Sequence, residues 1–245
     1  MYLPKKWSEI TLEQFIEINE IDKSQGANSY NSELISIVTD MSYEEVDELD
    51  LDDMVKMIAD MKWSNTEPSK QYNHNLLGMK VKPFSKLCLY EYIDLDYYFT
   101  NNYITNLDKI CAILYRQTKV NEWGEEIIEP YDYDCTIRAD KFLDLPITEV
   151  YGLINEFLKF RDNFLNTYKN LFNGEELSEL SEEEKEELTT EELKEEEDIK
   201  KESKWSWERM IYGLCNNDLT KSEAIGALPL TYVFNMLGMK KELDI

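Results

Sequence analysis

The sequence predicts a mainly α protein: two tandem, divergent three-helix modules, a small β-hairpin inserted in the second, an acidic linker and a C-terminal helical pair. Three observations carry this prediction. Apolar residues recur at three- and four-residue steps, the mark of amphipathic helices. The N-terminal segment is echoed in the middle of the chain, position by position. One stretch is too acidic and too poor in apolar residues to bury a face.

The first module spans 1–72 and the second 76–172. Trp7-Ser8-x-Ile10-x-Leu12-x-x-Phe15-Ile16-x-Ile18 matches Phe84-Ser85-x-Leu87-x-Leu89-x-x-Tyr92-Ile93-x-Leu95 at a constant spacing of 77. Serine is kept, and every apolar position is replaced by another apolar residue. The first helix of each module therefore opens near Thr11 or Leu89. The second helix contains 33–39 or 107–116. There Leu34-Ile35-Ser36-Ile37-Val38 matches Ile110-Cys111-Ala112-Ile113-Leu114, a run apolar nearly all round and hence central. The third is amphipathic, 52–63 or 147–171. Leu49-Asp50-Leu51 is matched with Leu143-Asp144-Leu145, and Met54, Met57, Ile58 and Met61 with Val150, Leu153, Ile154 and Phe157. Each large side chain buried in such a stripe contributes roughly 1.5–3 kcal/mol, so these modules hold by packing rather than by ligands.

The insertion 117–135 changes character. Lys119-Val120 and Ile127-Ile128 flank turn chemistry at Asn121–Gly124, which makes a β-hairpin with Trp123 at its tip. Trp123 either stands exposed as a contact residue or folds back over its own module. Met79–Lys82 supplies one more short strand. Residues 173–204 form the linker; from Glu175 to Lys204 it holds 15 acids against 5 bases. It reads as a solvated, partly helical strap.

The closing segment, 205–245, turns apolar again at Trp205-Ser-Trp207-Glu-Arg-Met-Ile-Tyr. It contains a partial third copy: Leu228-Pro-Leu-Thr-Tyr-Val matches Leu145-Pro-Ile-Thr-Glu-Val at a spacing of 83. Common descent and a convergent helix start both account for this match, because Pro fits any first helical turn. A piece of this size is too small to stand alone and must dock, in cis on its own modules or in trans on a partner. Trp123, Trp205 and Trp207 are the candidate partner-binding residues, as aromatic anchors of the kind that dominate interfaces.

Composition narrows the function classes. The chain has 245 residues with 42% hydrophobic and 12% aromatic content, enough for a sizeable core. A formal net charge of −25 repels phosphate backbones and anionic lipid, so neither sequence-specific nucleic acid nor membrane is expected as a gripped partner. The N-terminus carries no apolar leader segment and no run approaches the ~20 apolar residues that span a bilayer, so the chain is expected to be soluble. Cys88, Cys111, Cys135 and Cys215 are dispersed and read as reduced core cysteines. One histidine, His74, excludes a multi-histidine metal site or a histidine triad within one chain. Neither GxGxxG nor GxxxxGK[ST] occurs. The run Asp50-Leu-Asp52-Asp53 lacks the glycine and bidentate glutamate of a calcium loop and reads as a helix-start acid cluster. Asp132 and Asp134 read as turn and edge residues. No carboxylate pair stands out among 51 acids, so no enzyme, cofactor or metal is expected.

The run from Leu3 to Ile16, its echo from Phe84 to Leu95, the Ile110–Arg116 run and the terminal WSWERMIYGL resemble virion proteins of tailed phages, particularly crAss-like and related phages of Bacteroidetes. Such proteins are described as tail assembly chaperone-like or as portal-proximal tail components. The resemblance covers most of 1–170 and, more weakly, 204–245, and it transfers no catalytic residue. It implies a non-enzymatic structural component of the neck or tail, a ring or cargo-associated subunit. Its partners would be other virion proteins (portal, neck or tail), and it would form a homo-oligomer. The alternative it implies is a tail assembly chaperone that shields an aggregation-prone tail protein and is absent from the mature particle. Location would be the virion, and the host cytoplasm during assembly. Negative charge suits a surface facing a DNA channel, where repulsion lets the duplex slide.

Overall fold

The computed structural model describes residues 2–39, 41–132, 134–172 and 206–243. It is mainly helical with one small antiparallel sheet. The helices are α1 (Leu12–Glu20), α2 (Ala27–Thr39), α3 (Tyr43–Asp47), α4 (Leu51–Asp60), α5 (Leu89–Thr100) and α6 (Leu107–Leu114). They continue as α7 (Thr136–Leu143), α8 (Tyr151–Thr167), α9 (Lys169–Phe172), α10 (Ser206–Leu214), α11 (Ser222–Gly226) and α12 (Leu230–Leu243). The strands are β1 (Asn75–Leu76), β2 (Met79–Val81), β3 (Tyr115–Val120) and β4 (Glu126–Ile128), in the order β1-β2-β3-β4.

Local chemistry marks the starts of α1, α3 and α4. Thr11 and Gln14 close a capping box at the start of α1, and Ser42 and Glu45 close another at α3. Asp50 precedes α4, with Asp52 and Asp53 in its first turn, where acids meet the positive end of the helix dipole. Every residue of α6 except Lys109 is buried, so it is the central helix its composition called for. It is shorter than expected. Tyr115 turns extended because its neighbours in β2 offer a ladder, with Val81 opposite Tyr115 and the Lys82 N–H on the Leu114 carbonyl at 2.8 Å.

The chain divides into two compact units, and neither is contiguous. One joins Met1–Pro83 to Asp94–Phe160; the other joins Phe84–Ile93 to Arg161–Ile245. The division falls within α5 and within α8. The sequence repeat had suggested 1–72 and 76–172 as successive modules, whereas in space the opening segment of one copy joins the third helix of the next copy.

In the first unit the Leu12 N–H donates to the Leu145 carbonyl at 2.8 Å and the Ile147 N–H to the Ile10 carbonyl at 2.9 Å, an isolated antiparallel bridge across Thr11 and Pro146. Ile10, Leu12 and Ile147 are fully buried there. Phe15 then meets the Tyr151 ring edge-on at 5.8 Å. Trp7 and Trp63 pack edge-to-face at 4.7 Å, each indole N–H donating to a backbone carbonyl beside the other, Thr66 and Pro4. An extended connector lies along α8: the Gly152 N–H reaches the Gln71 carbonyl at 3.2 Å, and the Asn73 N–H reaches the Glu149 carbonyl at 2.9 Å.

The second unit repeats the bridge. The Leu89 N–H donates to the Leu228 carbonyl at 3.0 Å, and the Leu230 N–H to the Leu87 carbonyl at 2.9 Å. The helix cap is echoed as well, Cys88 N–H to Glu91 Oε2 at 2.9 Å matching Thr11 N–H to Gln14 Oε1 at 3.1 Å. The third copy is thus a structural copy and not merely a helix start. Aromatic rings fill this unit: Phe164 lies 5.0 Å from Tyr92 and 4.8 Å from Phe234. Gly226 is seated on the Tyr90 ring, so close that a Cβ would fall 1.8 Å from it.

Candidate functional site

The site singled out by the sequence is the β3–β4 hairpin, and its tip is built by one asparagine. Asn121 Oδ1 accepts the N–H groups of Trp123 at 3.0 Å and Glu125 at 2.9 Å, while its own N–H donates to the Glu125 carbonyl at 2.8 Å. Gly124 takes φ +79°, which a side chain would oppose. The stem pairs Thr118 with Ile128, Lys119 with Ile127 and Val120 with Glu126. Sequence reasoning placed both strands and the turn here, and Met79–Val81 joins as the expected extra strand; β1 was not foreseen, being two residues long.

This frame leaves Trp123 at 81% exposure, with Val120 at 69% behind it. Of the two alternatives, Trp123 stands clear of its module. The hairpin base is clamped to the helices. Arg116 is buried, bonds the Pro130 carbonyl, and lies with its guanidinium 5.1 Å from the Tyr131 ring centre. Asp132 takes Arg138 as a two-point partner and stands 3.8 Å from Arg116. Burial pushes the Asp132 carboxyl up, yet the Arg138 hydrogen bond and the two guanidinium charges carry it below the usual range. Asp132 is therefore more than the turn residue expected, while Asp134 does act in the turn, accepting the Thr136 N–H at 3.0 Å. Higher on the stem, Lys80 and the Thr118 hydroxyl bond the Glu126 carboxylate and lower its pKa.

Glu122 and Glu125 flank the tip and are exposed, so it offers an apolar ring inside an acidic rim. Chemically this arrangement is suited to contact: an aromatic ring held by a hydrogen-bonded turn and shown to solvent at little entropic cost.

Trp207 differs from expectation. It is half-buried, 5.8 Å from the Tyr92 ring and 6.3 Å from Phe234, so its indole packs within its own unit instead of standing out as an anchor. Helical periodicity could not reveal this, because its aromatic neighbours come from two distant parts of the chain. Trp205 lies outside the described residues, as does the linker 173–204.

Among the described residues, no group of three or more His, Cys, Asp or Glu side chains is placed to hold a metal ion. His74 is exposed beside the Tyr72 ring at 4.6 Å. The four cysteines are buried thiols, and burial pushes Cys111 far above its ordinary range. No helix among the described residues is long and apolar enough to cross a membrane. No protein-family model, curated protein or solved structure matches this chain.

Proposed function

We propose that this chain is a non-enzymatic structural component of the neck or tail of a tailed-phage particle, a ring or cargo-associated subunit that joins its neighbours through protein–protein contacts. The observation that carries the reading is the rigidly framed, 81% exposed Trp123 on a hairpin inserted into an otherwise packed helical scaffold. Exposed aromatics on a preorganised turn are what protein interfaces use as anchors. The net charge of −25 supports a role among proteins rather than on nucleic acid. The acidic stretch Glu175–Lys204 favours the second reading, a tail assembly chaperone that keeps an aggregation-prone protein dispersed and leaves before completion.

Quantitative mass spectrometry of density-purified particles, set against crude lysate, separates the two. A fixed copy number relative to capsid and portal supports the structural component. Abundance in lysate with absence from particles supports the chaperone. A Trp123→Ala chain that melts like the wild type and still enters particles at full copy number removes the hairpin tip from either account.

A further inference from the structure

The pairing of successive copies leaves one seat empty. The turn that precedes the third helix is built three times: the Leu49, Leu145 and Leu228 N–H groups donate to the carbonyls of Val46, Phe142 and Ile225 at 3.2, 3.0 and 3.1 Å. This registers Leu49-Asp50-Leu51 with Leu145-Pro146-Ile147 and Leu228-Pro229-Leu230, two residues on from the match suggested by sequence. The backbone agrees, with Asp50 at φ −61°, ψ 142° and Pro146 at φ −54°, ψ 132°.

In the second and third copies, this turn receives an opening segment. Ile10-Thr11-Leu12 and Leu87-Cys88-Leu89 each lay an apolar-x-apolar tripeptide against it, bond both flanking backbone groups and continue as a helix. The apolar positions beneath are closed by this: Ile147 and Val150 are 0% exposed, Leu230 and Val233 at most 2%. In the first copy the corresponding Leu51 is 75% exposed and Met54 is half-buried, while Val55, the counterpart of the half-buried Tyr151 and the 1% exposed Phe234, is 57% exposed. Among the described residues, neither the Leu51 N–H nor the Leu49 carbonyl makes a hydrogen bond.

We propose that the start of α4 is a docking socket for a segment of a partner protein: an apolar-x-apolar tripeptide running into an amphipathic helix and led by basic residues. The chain itself displays the apolar-x-apolar part of that chemistry twice in its own seats, while Lys6 pairs with Glu9 and Lys80 with Glu126. Lysines lead both of its inserts, Lys5-Lys6 before one and Lys80 and Lys82 before the other. The socket answers with charge, because Asp50-Leu51-Asp52-Asp53 stands where the filled seat has Pro146-Ile147-Thr148-Glu149. Asp53 bonds Lys56 at 3.1 Å, whereas Asp50 and Asp52 make no ion pair among the described residues. Among the described residues the chain has three seats and two inserts and uses both inserts on itself, which leaves no insert for a second copy to offer. The proposal does not depend on which particle the chain serves.

The test uses the full chain and, as a probe, a fluorescein-labelled peptide of residues 5–20. Anisotropy should show saturable one-to-one binding, weakened at least about tenfold by Leu51→Asp and, separately, by Val55→Asp. Both positions are exposed, so both variants should melt like the wild type. A probe with Ile10→Ser and Leu12→Ser should not bind. Absence of saturable binding overturns the proposal. Binding that ignores both substitutions also overturns it, because the probe is then displacing an insert from a filled seat. Self-association that Leu51→Asp abolishes, read by sedimentation, overturns it in favour of a second copy.

Discussion

Two glycine-to-alanine substitutions in helices should move stability in opposite directions. At Gly152, near the start of α8, an added Cβ would lie 2.4 Å from the Lys70 carbonyl oxygen and 2.6 Å from the Gln71 carbonyl. Ordinary contact begins near 3.4 Å, and what stands in the way is backbone, which cannot swing aside as a side-chain tip can. Overpacking of this kind costs ~1–3 kcal/mol. Moving the connector also stretches the bonds from Gly152 to Gln71 and from Asn73 to Glu149, each contributing ~1 kcal/mol. Against this stands the ~1 kcal/mol by which alanine outranks glycine inside a helix. The balance is a loss of about 2–4 kcal/mol. Gly238 in α12 has nothing within 4 Å of its Cβ position, so only the helix preference remains, a gain of about 0.5–1 kcal/mol. Urea denaturation followed by circular dichroism reads both, and hydrogen exchange should show loss of protection at the Gly152 and Asn73 amides in Gly152→Ala alone. A Gly152→Ala chain as stable as the wild type, with those amides still protected, would refute the close approach of connector and helix.

Two further outcomes follow from the seams and the hairpin base. Leu12→Ala and Leu89→Ala empty equivalent, fully buried positions, so each should cost about 2–5 kcal/mol, and the first should expose the Ile147 amide to exchange while the second exposes Leu230; protection of Leu230 in Leu89→Ala contradicts the second bridge. The Asp132 carboxyl is held below its ordinary range in the folded chain, so its contribution is complete above the unfolded carboxylate value of about 3.9 and is lost as pH falls through the folded value. Protection of the hairpin-base amides, taken relative to the intrinsic exchange rate at each pH, should therefore fall on acidification below about pH 4 in the wild type and show a weaker pH step in Asp132→Asn; identical protection profiles would remove Asp132 from the clamp.

The hairpin was legible because turn chemistry is local. Asn121, Gly124 and the flanking β-branched residues act through bonds that reach only four positions, so the sequence could place Trp123 at the tip. Trp207 was not legible for the opposite reason. Its environment is Tyr92 and Phe234, and residues so far apart in the chain leave no periodic mark on each other. The clamp of Arg116, Asp132 and Arg138 joins β3 to the start of α7, and it too is invisible until the strand returns.

Periodicity, capping residues and the internal repeat determined by themselves that the chain is mainly helical, that α1 and α5 open near Thr11 and Leu89, and that the first segment is echoed in the middle of the chain, whereas α3, α7 and α11 were not foreseen. Those features act within a turn or two, or by direct comparison of residues, and need no knowledge of what lies opposite. Tertiary structure alone decided the partners. Ile10 and Leu87 are chemically equivalent, as are Ile147 and Leu230, so nothing in their identity says which opening segment meets which third helix. That choice is made by packing within each unit, and it joins each copy to the next one. It also leaves Leu51 and Val55 uncovered on α4.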